Sequence, residues 1–93
     1  MKVTPDIISY EFIGTEAKIA QSKNRDSKGI RGKIIDETRN TFTILHENKP
    51  KKIIKDSSIF HFKFYDGTVV EIDGKLLVGR PEDRLKKRVR RLW

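Results

Sequence analysis

Cysteine is absent from the 93 residues of this chain, which excludes disulfides and thiolate metal sites. A chain without cysteine is typical of an intracellular protein, and we expect a cytoplasmic location. The two histidines, His46 and His61, cannot form a zinc site without carboxylate ligands. A metal site in this chain would therefore need carboxylates, most of which have the pattern of turn residues or of charges on the solvent face.

Long apolar runs and enzyme signatures are also missing. The N-terminal stretch MKVTPDIISYEF has no apolar run long enough for a signal peptide, and no segment reaches the roughly 20 apolar residues of a membrane helix. There is no glycine-rich phosphate loop, nucleophile elbow or HExxH motif. The sequence therefore predicts no catalytic residues in this chain.

Positive charge, in contrast, is in excess and unevenly distributed. The chain has 21 Lys and Arg against 13 Asp and Glu, a formal net charge of +8. Residues 80–93 contain seven of the basic residues but only two of the acidic ones. Such a balance indicates a polyanionic partner, which could be a nucleic acid, an anionic membrane or an acidic protein.

The middle of the chain has the alternation of β-strands. The segments EAKIAQSK, GIRGKIIDE, NTFTILHE, KKIIKD, SIFHFKFY and TVVEID are separated by polar turns. Asp66-Gly67 predicts a tight hairpin, and DETRNT predicts a second hairpin loop in which Asn40 can adopt a positive φ. Phe60, Phe62 and Phe64 alternate and should face the core. We expect a mainly β, small antiparallel barrel.

Both ends of the chain have helix signals. We expect one domain, residues 1–93, with an N-terminal helical segment over 4–13, the barrel over 16–77 and a basic helical tail over 80–93. Pro5 and Pro81 suit first helical positions. On a helical wheel the apolar tail residues fall within one arc and the basic residues cover the rest, which favours phosphate binding by the cations. The apolar tail residues are Leu85, Val89, Leu92 and Trp93.

Two further basic clusters lie upstream, in SKNRDSKGIRGK and in KPKKIIK. For the first cluster, contact with nucleic acid and a solvated loop that leads into a bent strand both remain open. For the second, the alternative is an edge strand whose lysines prevent aggregation. A frayed terminus and a short membrane-surface helix are the alternatives for the tail.

Three segments, FIGTEAKIAQSKN, GIRGKIIDETRNTF and GRPEDRLKKRVRR, resemble the archaeal ribonuclease P protein component 1 family in the same order. The resemblance implies an Sm-like antiparallel barrel with a short N-terminal helix and a basic C-terminal helix. It also implies a protein subunit of the ribonucleoprotein that removes the 5′ leader from precursor tRNA. In that family the RNA subunit, with bound magnesium, performs the cleavage, and the protein subunit binds no metal or cofactor of its own.

The resemblance further implies the partners and the site residues. The partners are the ribonuclease P RNA, a zinc-ribbon protein subunit, other ribonuclease P proteins and, indirectly, precursor tRNA; no membrane is expected. Ile7, Ile8, Tyr10 and Phe12 are the expected protein-partner residues. The expected RNA-binding residues are Lys23, Arg25, Lys28, Arg31, Lys33, Arg39, Asn40, Lys51, Lys52, Arg80, Arg84, Lys86, Lys87, Arg88, Arg90 and Arg91.

Other functions share the same charge pattern. A ribosomal or translation-associated RNA-binding barrel would differ only in the segments that carry the resemblance. An interaction module for an acidic protein would keep its partner after nuclease treatment of a lysate. A self-sufficient nuclease would cleave RNA without an RNA subunit.

Overall fold

The computed structural model describes residues 7–8 and 10–84 of the chain. In this part the protein is mainly β, as expected. Short 3₁₀ turns occupy Arg25–Ser27, Lys55–Ser57 and Gly74–Leu77, and a four-residue helix, α1 (Pro81–Arg84), ends the described segment. The six strands are β1 (Glu16–Ser22), β2 (Arg31–Glu37), β3 (Thr41–His46), β4 (Lys49–Ile54), β5 (Ser58–Lys63) and β6 (Val69–Asp73).

All six strands form one antiparallel sheet in the order β4-β3-β2-β1-β5-β6. Register shifts between Ile19 and Gln21 in β1, and between Ile34 and Asp36 in β2, mark the bulges at which these strands bend. In the described residues β4 and β6 do not pair with each other, so the expected barrel is not closed. The composition of β4 suits an open edge, because Pro50 has no N–H and the lysines oppose pairing with another chain.

One apolar core lies against the inner face of the sheet. The rings of Phe12 and Phe62 stack with centroids 4.2 Å apart, and Phe42 meets Phe60 edge-on at 5.4 Å. The predicted core positions of Phe60, Phe62 and Phe64 are confirmed. The buried apolar residues are Ile7, Ile8, Phe12, Ala17, Ile19, Ile34, Phe42, Ile44, Ile53, Phe60, Phe62, Phe64, Ile72 and Leu77.

The hairpin turns agree in part with the sequence. At Asp66-Gly67 the Phe64 amide donates to the Thr68 carbonyl at 2.9 Å and Gly67 has φ +87°, which confirms the predicted turn. The loop between β2 and β3 is a hairpin, as expected, but Asn40 does not adopt a positive φ. The β3–β4 turn instead places two non-glycine residues, Glu47 and Asn48, at φ 49° and 66°.

The expected N-terminal helix over 4–13 is not present in the described residues. Ile7 and Ile8 form part of a 3₁₀ turn, and the chain from residue 10 to 13 is not helical. The side chains of Ile7, Ile8 and Phe12 are all buried. In an α-helix, side chains that are adjacent in sequence, such as those of Ile7 and Ile8, point in directions about 100° apart. In this structure both side chains pack into the same core as Phe12. Residues 4–6 and 9 lie outside the described part.

The expected C-terminal helix over 80–93 is seen only as the four residues of α1. The rest of that prediction, including the apolar arc of the tail, falls on residues 85–93, which lie outside the described part of the chain. Within the described residues no helix is long and apolar enough to cross a membrane.

Phe62→Ala should lower the free energy of unfolding by about 3–5 kcal/mol, because it leaves a cavity against three other phenylalanine rings. Urea denaturation measures this change. Tyr65→Ala is the matched control, since the side chain of Tyr65 lies on the surface of the same hairpin with 97 % exposure. Equal losses in the two variants would contradict the role of Phe62 in the core.

Candidate nucleic-acid interface

A glutamate, a lysine and an arginine meet inside the protein, where Arg84 contacts the backbone of Ile8 and Tyr10. We call Glu37, Lys55 and Arg84 the clasp. Lys55 Nζ lies 2.7 Å and Arg84 Nη1 lies 2.6 Å from the same carboxylate oxygen, Glu37 Oε2. The side chains of Lys55 and Arg84 are fully buried, and that of Glu37 is 2 % exposed.

Backbone carbonyls complete the surroundings of Lys55. Its Nζ donates to the carbonyls of Thr38 at 2.8 Å, Arg39 at 3.2 Å and Gly79 at 2.9 Å. The same ammonium lies 4.6 Å from the centre of the Phe42 ring. The charge is thus solvated by the protein in place of water, which is the condition for a buried cation to be tolerated.

Arg84 is satisfied in the same way. Its guanidinium donates to the carbonyls of Leu77 at 3.0 Å, Gly79 at 2.5 Å and Tyr10 at 3.1 Å, and also to that of Ile8. Two cations and one carboxylate leave an excess of one positive charge. The oxygens of six different carbonyls offset that excess.

The clasp joins segments that are far apart in sequence. Glu37 ends β2, Lys55 begins the 3₁₀ turn after β4, and Arg84 ends α1. Gly74 makes the approach possible, because a Cβ at that position would lie 1.8 Å from the Lys55 carbonyl oxygen. The clasp therefore holds the last described residue of the chain against the N-terminal segment.

Arg84 consequently requires a correction. The sequence analysis groups it with the phosphate-binding cations of the tail, but its guanidinium is fully buried and hydrogen-bonded to protein. A helical wheel cannot separate it from its exposed neighbours, because its acceptors come from distant residues. The sequence also does not identify Lys55 and Glu37 as buried partners of Arg84. A lysine after two isoleucines and a glutamate in DETRN both have the pattern of surface residues.

The other described candidates lie on the surface, in three places. The loop before β2 carries Lys23, Arg25 and Lys28. Other residues of this loop and the lysines of β4 line one groove. Arg39, Asn40 and Arg80 lie close to the clasp, where the Gly79 amide donates to the Arg39 carbonyl. Arg31 and Lys33 lie on β2. The exposed candidates are Lys23, Arg25, Lys28, Arg31, Lys33, Arg39, Asn40, Lys51, Lys52 and Arg80.

The two histidines have structural partners. His61 Nε2 lies 2.7 Å from Glu71 Oε1, and His46 Nδ1 lies 3.2 Å from the amide nitrogen and 2.9 Å from the carbonyl oxygen of Arg31. Within the described residues no group of three or more His, Asp and Glu side chains could hold a metal ion. The arrangement suits contact with anions along an extended surface.

The expected protein-partner residues divide into two groups. Ile7, Ile8 and Phe12 are buried in the core of this chain, so their side chains are not available to a partner in this structure. Tyr10 is 39 % exposed and lies with Ile13 and Tyr65 along one groove. Alternation with Phe64 directs Tyr65 outward, but only the fold brings it to the same groove as Tyr10 and Ile13.

Glu37→Gln removes the only carboxylate of the clasp and leaves two buried cations. It should lower the free energy of unfolding by about 3–5 kcal/mol, measured by urea denaturation. Glu71→Gln makes the same chemical change in an exposed ion pair and should cost at most about 1 kcal/mol. Wild-type stability in Glu37→Gln would show that the clasp contributes no net stability.

Comparisons with known proteins agree with the resemblance that the sequence segments indicate. A family model described as ribonuclease P/MRP, subunit p29, matches residues 5–87. The ribonuclease P protein component 1 of Methanothermobacter thermautotrophicus is 44 % identical over 91 residues, covering 96 % of this chain and 98 % of that protein. That of Thermofilum pendens is 47 % identical over 95 residues, covering all of both chains.

A solved structure of Mth11, described as a homologue of the human RNase P protein Rpp29, has the same fold. It superimposes with a TM-score of 0.61 at 45 % sequence identity, covering 81 % of this chain and 97 % of that one. Sequence and structure together show that the chain belongs to the ribonuclease P/MRP subunit p29 family.

Proposed function

We propose that this chain is a protein subunit of ribonuclease P that binds and stabilises the catalytic RNA that removes the 5′ leader from precursor tRNA. Family membership and the names of the relatives support this assignment. The structural observation that carries it is a set of exposed Lys and Arg side chains without an ion-pair partner among the described residues. They are Lys23, Arg25, Lys28, Arg31, Lys33, Arg39, Lys51, Lys52 and Arg80.

Such a surface would act on RNA by neutralising phosphates. A folded RNA brings its phosphates close together, and each phosphate that a lysine or arginine neutralises releases a condensed counterion. Cations on several faces of one small domain could bridge neighbouring RNA elements. The protein would then recognise the shape and backbone of the RNA more than its base sequence.

The proposal assigns the cleavage step to the RNA. In the part of the chain that the structure describes, no group of three or more His, Asp and Glu side chains could hold a metal ion. His61 contacts the Glu71 carboxylate, and His46 contacts the backbone of Arg31. The magnesium ions of the reaction would therefore be bound by the RNA subunit. A cytoplasmic location remains a prediction.

The partner protein is assigned to a neighbouring surface, whose groove Lys33 and Lys63 also line. Tyr10, Ile13 and Tyr65 expose 39 %, 46 % and 97 % of their area and line one groove. Exposed apolar side chains that cluster in this way are typical of protein-protein contacts. This surface would receive the zinc-ribbon subunit of the same ribonucleoprotein.

Reconstitution tests the proposed function. The purified chain alone should not cleave precursor tRNA. When it is added to the ribonuclease P RNA and the companion proteins, it should lower the magnesium concentration needed for cleavage or lower the KM for precursor tRNA. Gel analysis of leader release at several magnesium concentrations measures both effects. Robust metal-dependent cleavage by RNA-free protein would contradict the assignment.

The basic tail can be tested without disturbing the clasp. Truncation before Arg84 removes a buried residue and should destabilise the fold, so Arg84 has to be kept. Replacing the five later cations by Gln should reduce the slope of log affinity against log salt by roughly 0.7–0.9 per lost phosphate contact. Thermal stability should remain that of the wild type. The five cations are Lys86, Lys87, Arg88, Arg90 and Arg91.

RNA binding by the glutamine variant with the wild-type salt slope would exclude the tail as an RNA site. The exposed cations of the described residues would then account for RNA binding. Filter binding or fluorescence anisotropy at several salt concentrations distinguishes the two cases.

A further inference from the structure

The outer face of the sheet carries four cations and one histidine that the sequence analysis does not bring together. We propose that the outer grid, defined as Lys18, Arg31, Lys33, His61 and Lys63, is a phosphate-binding surface on which the RNA backbone crosses strands β2, β1 and β5. This inference rests on the proposed function and adds Lys18, His61 and Lys63 to the candidate RNA contacts.

Strand register places these residues in two rows across three strands. In one row Arg31, Lys18 and His61 are directly opposite one another on β2, β1 and β5. In the other row Lys33 and Lys63 flank Glu16. Buried residues alternate with them on β1 and β5, so these side chains point away from the core.

In the first row the two cations Lys18 and Arg31 lie opposite each other and repel. Directly opposed like charges, such as Lys18 and Arg31, destabilise a sheet. Within the described residues neither side chain has an ion-pair partner. His61 is held by Glu71, and Glu16 is the only carboxylate between the lysines of the second row. An external polyanion would remove this repulsion.

The backbone beneath the grid is held firmly. Gly32, between the two cations of β2, lies so close to β3 that a Cβ would be 1.9 Å from the Leu45 carbonyl oxygen. His46 Nδ1 contacts both the amide nitrogen and the carbonyl oxygen of Arg31. The spacing of Arg31 and Lys33 is thereby set by main-chain contacts, which leaves their side chains free to follow phosphates.

The dimensions and chemistry fit a nucleic-acid backbone. Opposed residues on neighbouring strands lie roughly 4.5–5.5 Å apart, and alternate residues along a strand about 6.6 Å apart. Long, flexible Lys and Arg side chains at these spacings can reach consecutive phosphates. Lys18, Arg31, His61 and Lys63 line one open groove, and the only other side chains in its lining are those of Glu16, Ala17 and Val69. The groove has three cations, Lys18, Arg31 and Lys63, against the single carboxylate of Glu16, and this excess of positive charge favours a polyanion.

Two single variants of equal charge test the grid. Lys18→Gln removes a cation of the grid, and Lys75→Gln removes an exposed cation that belongs to none of the candidate RNA-binding sets. Binding to ribonuclease P RNA is measured by fluorescence anisotropy from low to high salt. The grid variant should reduce the salt slope by roughly 0.7–0.9, and the control variant should not.

Thermal stability separates binding from folding. Because Lys18 opposes Arg31, the grid variant should melt at or above the wild-type temperature while it binds RNA more weakly. A third variant, Lys18→Arg, keeps the charge and should bind RNA with the wild-type slope.

The proposal is wrong if the wild type binds the RNA and the grid and control variants bind it with equal affinity and equal salt slope. If the grid variant instead loses only a protein partner in the reconstituted particle, the face binds an acidic protein and the proposal is wrong. Failure of the wild-type chain to bind ribonuclease P RNA would be a different result, because it removes the proposed function itself.

Discussion

The carboxylate that Lys55 and Arg84 share on Glu37 is the interaction on which the packing of Arg84 against Ile8 and Tyr10 depends. It accepts from Lys55 at 2.7 Å and from Arg84 at 2.6 Å in a place with almost no exposure. A buried ion pair is often no more stabilising than a well-packed apolar cluster, but removal of one partner leaves a charge that water cannot reach. The clasp therefore favours the packing of Arg84 against Ile8 and Tyr10 over any arrangement that leaves one of the three charges without its partner.

The clasp also divides the cations of the chain into two kinds with different roles. Lys55 and Arg84 are solvated by carbonyl oxygens and by one carboxylate, and they stabilise the fold. The exposed cations lack such partners in the described residues and are free to bind an anion. Because Arg84 is held in place, α1 is fixed close to the β2–β3 loop, where the Gly79 amide donates to the Arg39 carbonyl. Exposed cations that the fold already positions lose less entropy when they bind an anion.

Much of the fold follows from local pattern. Alternation predicts the strands and the inward direction of Phe60, Phe62 and Phe64, because successive side chains of a strand point to opposite faces. Asp66-Gly67 predicts its turn because glycine adopts a positive φ without strain. The expected N-terminal helix is not seen in the described residues, because the signal at Pro5 is local, whereas the burial of Phe12 against Phe62 is a tertiary effect. The closed barrel is wrong because pairing between β4 and β6 depends on the curvature of the whole sheet.

The sequence by itself determined the excess of positive charge, the strand pattern, the absence of a thiolate site and the family resemblance, since each is a property of composition or of residues near one another in the chain. Only the tertiary structure decided which cations are buried and which are exposed. Arg84 lies 47 residues from Glu37 and 76 from Ile8, and its burial is tolerated only because folding brings their oxygens to it. Lys18 and Arg31 likewise become opposed neighbours only through strand register. The energy of a charge depends on what surrounds it in space, and those surroundings are set by long-range contacts that local sequence does not contain.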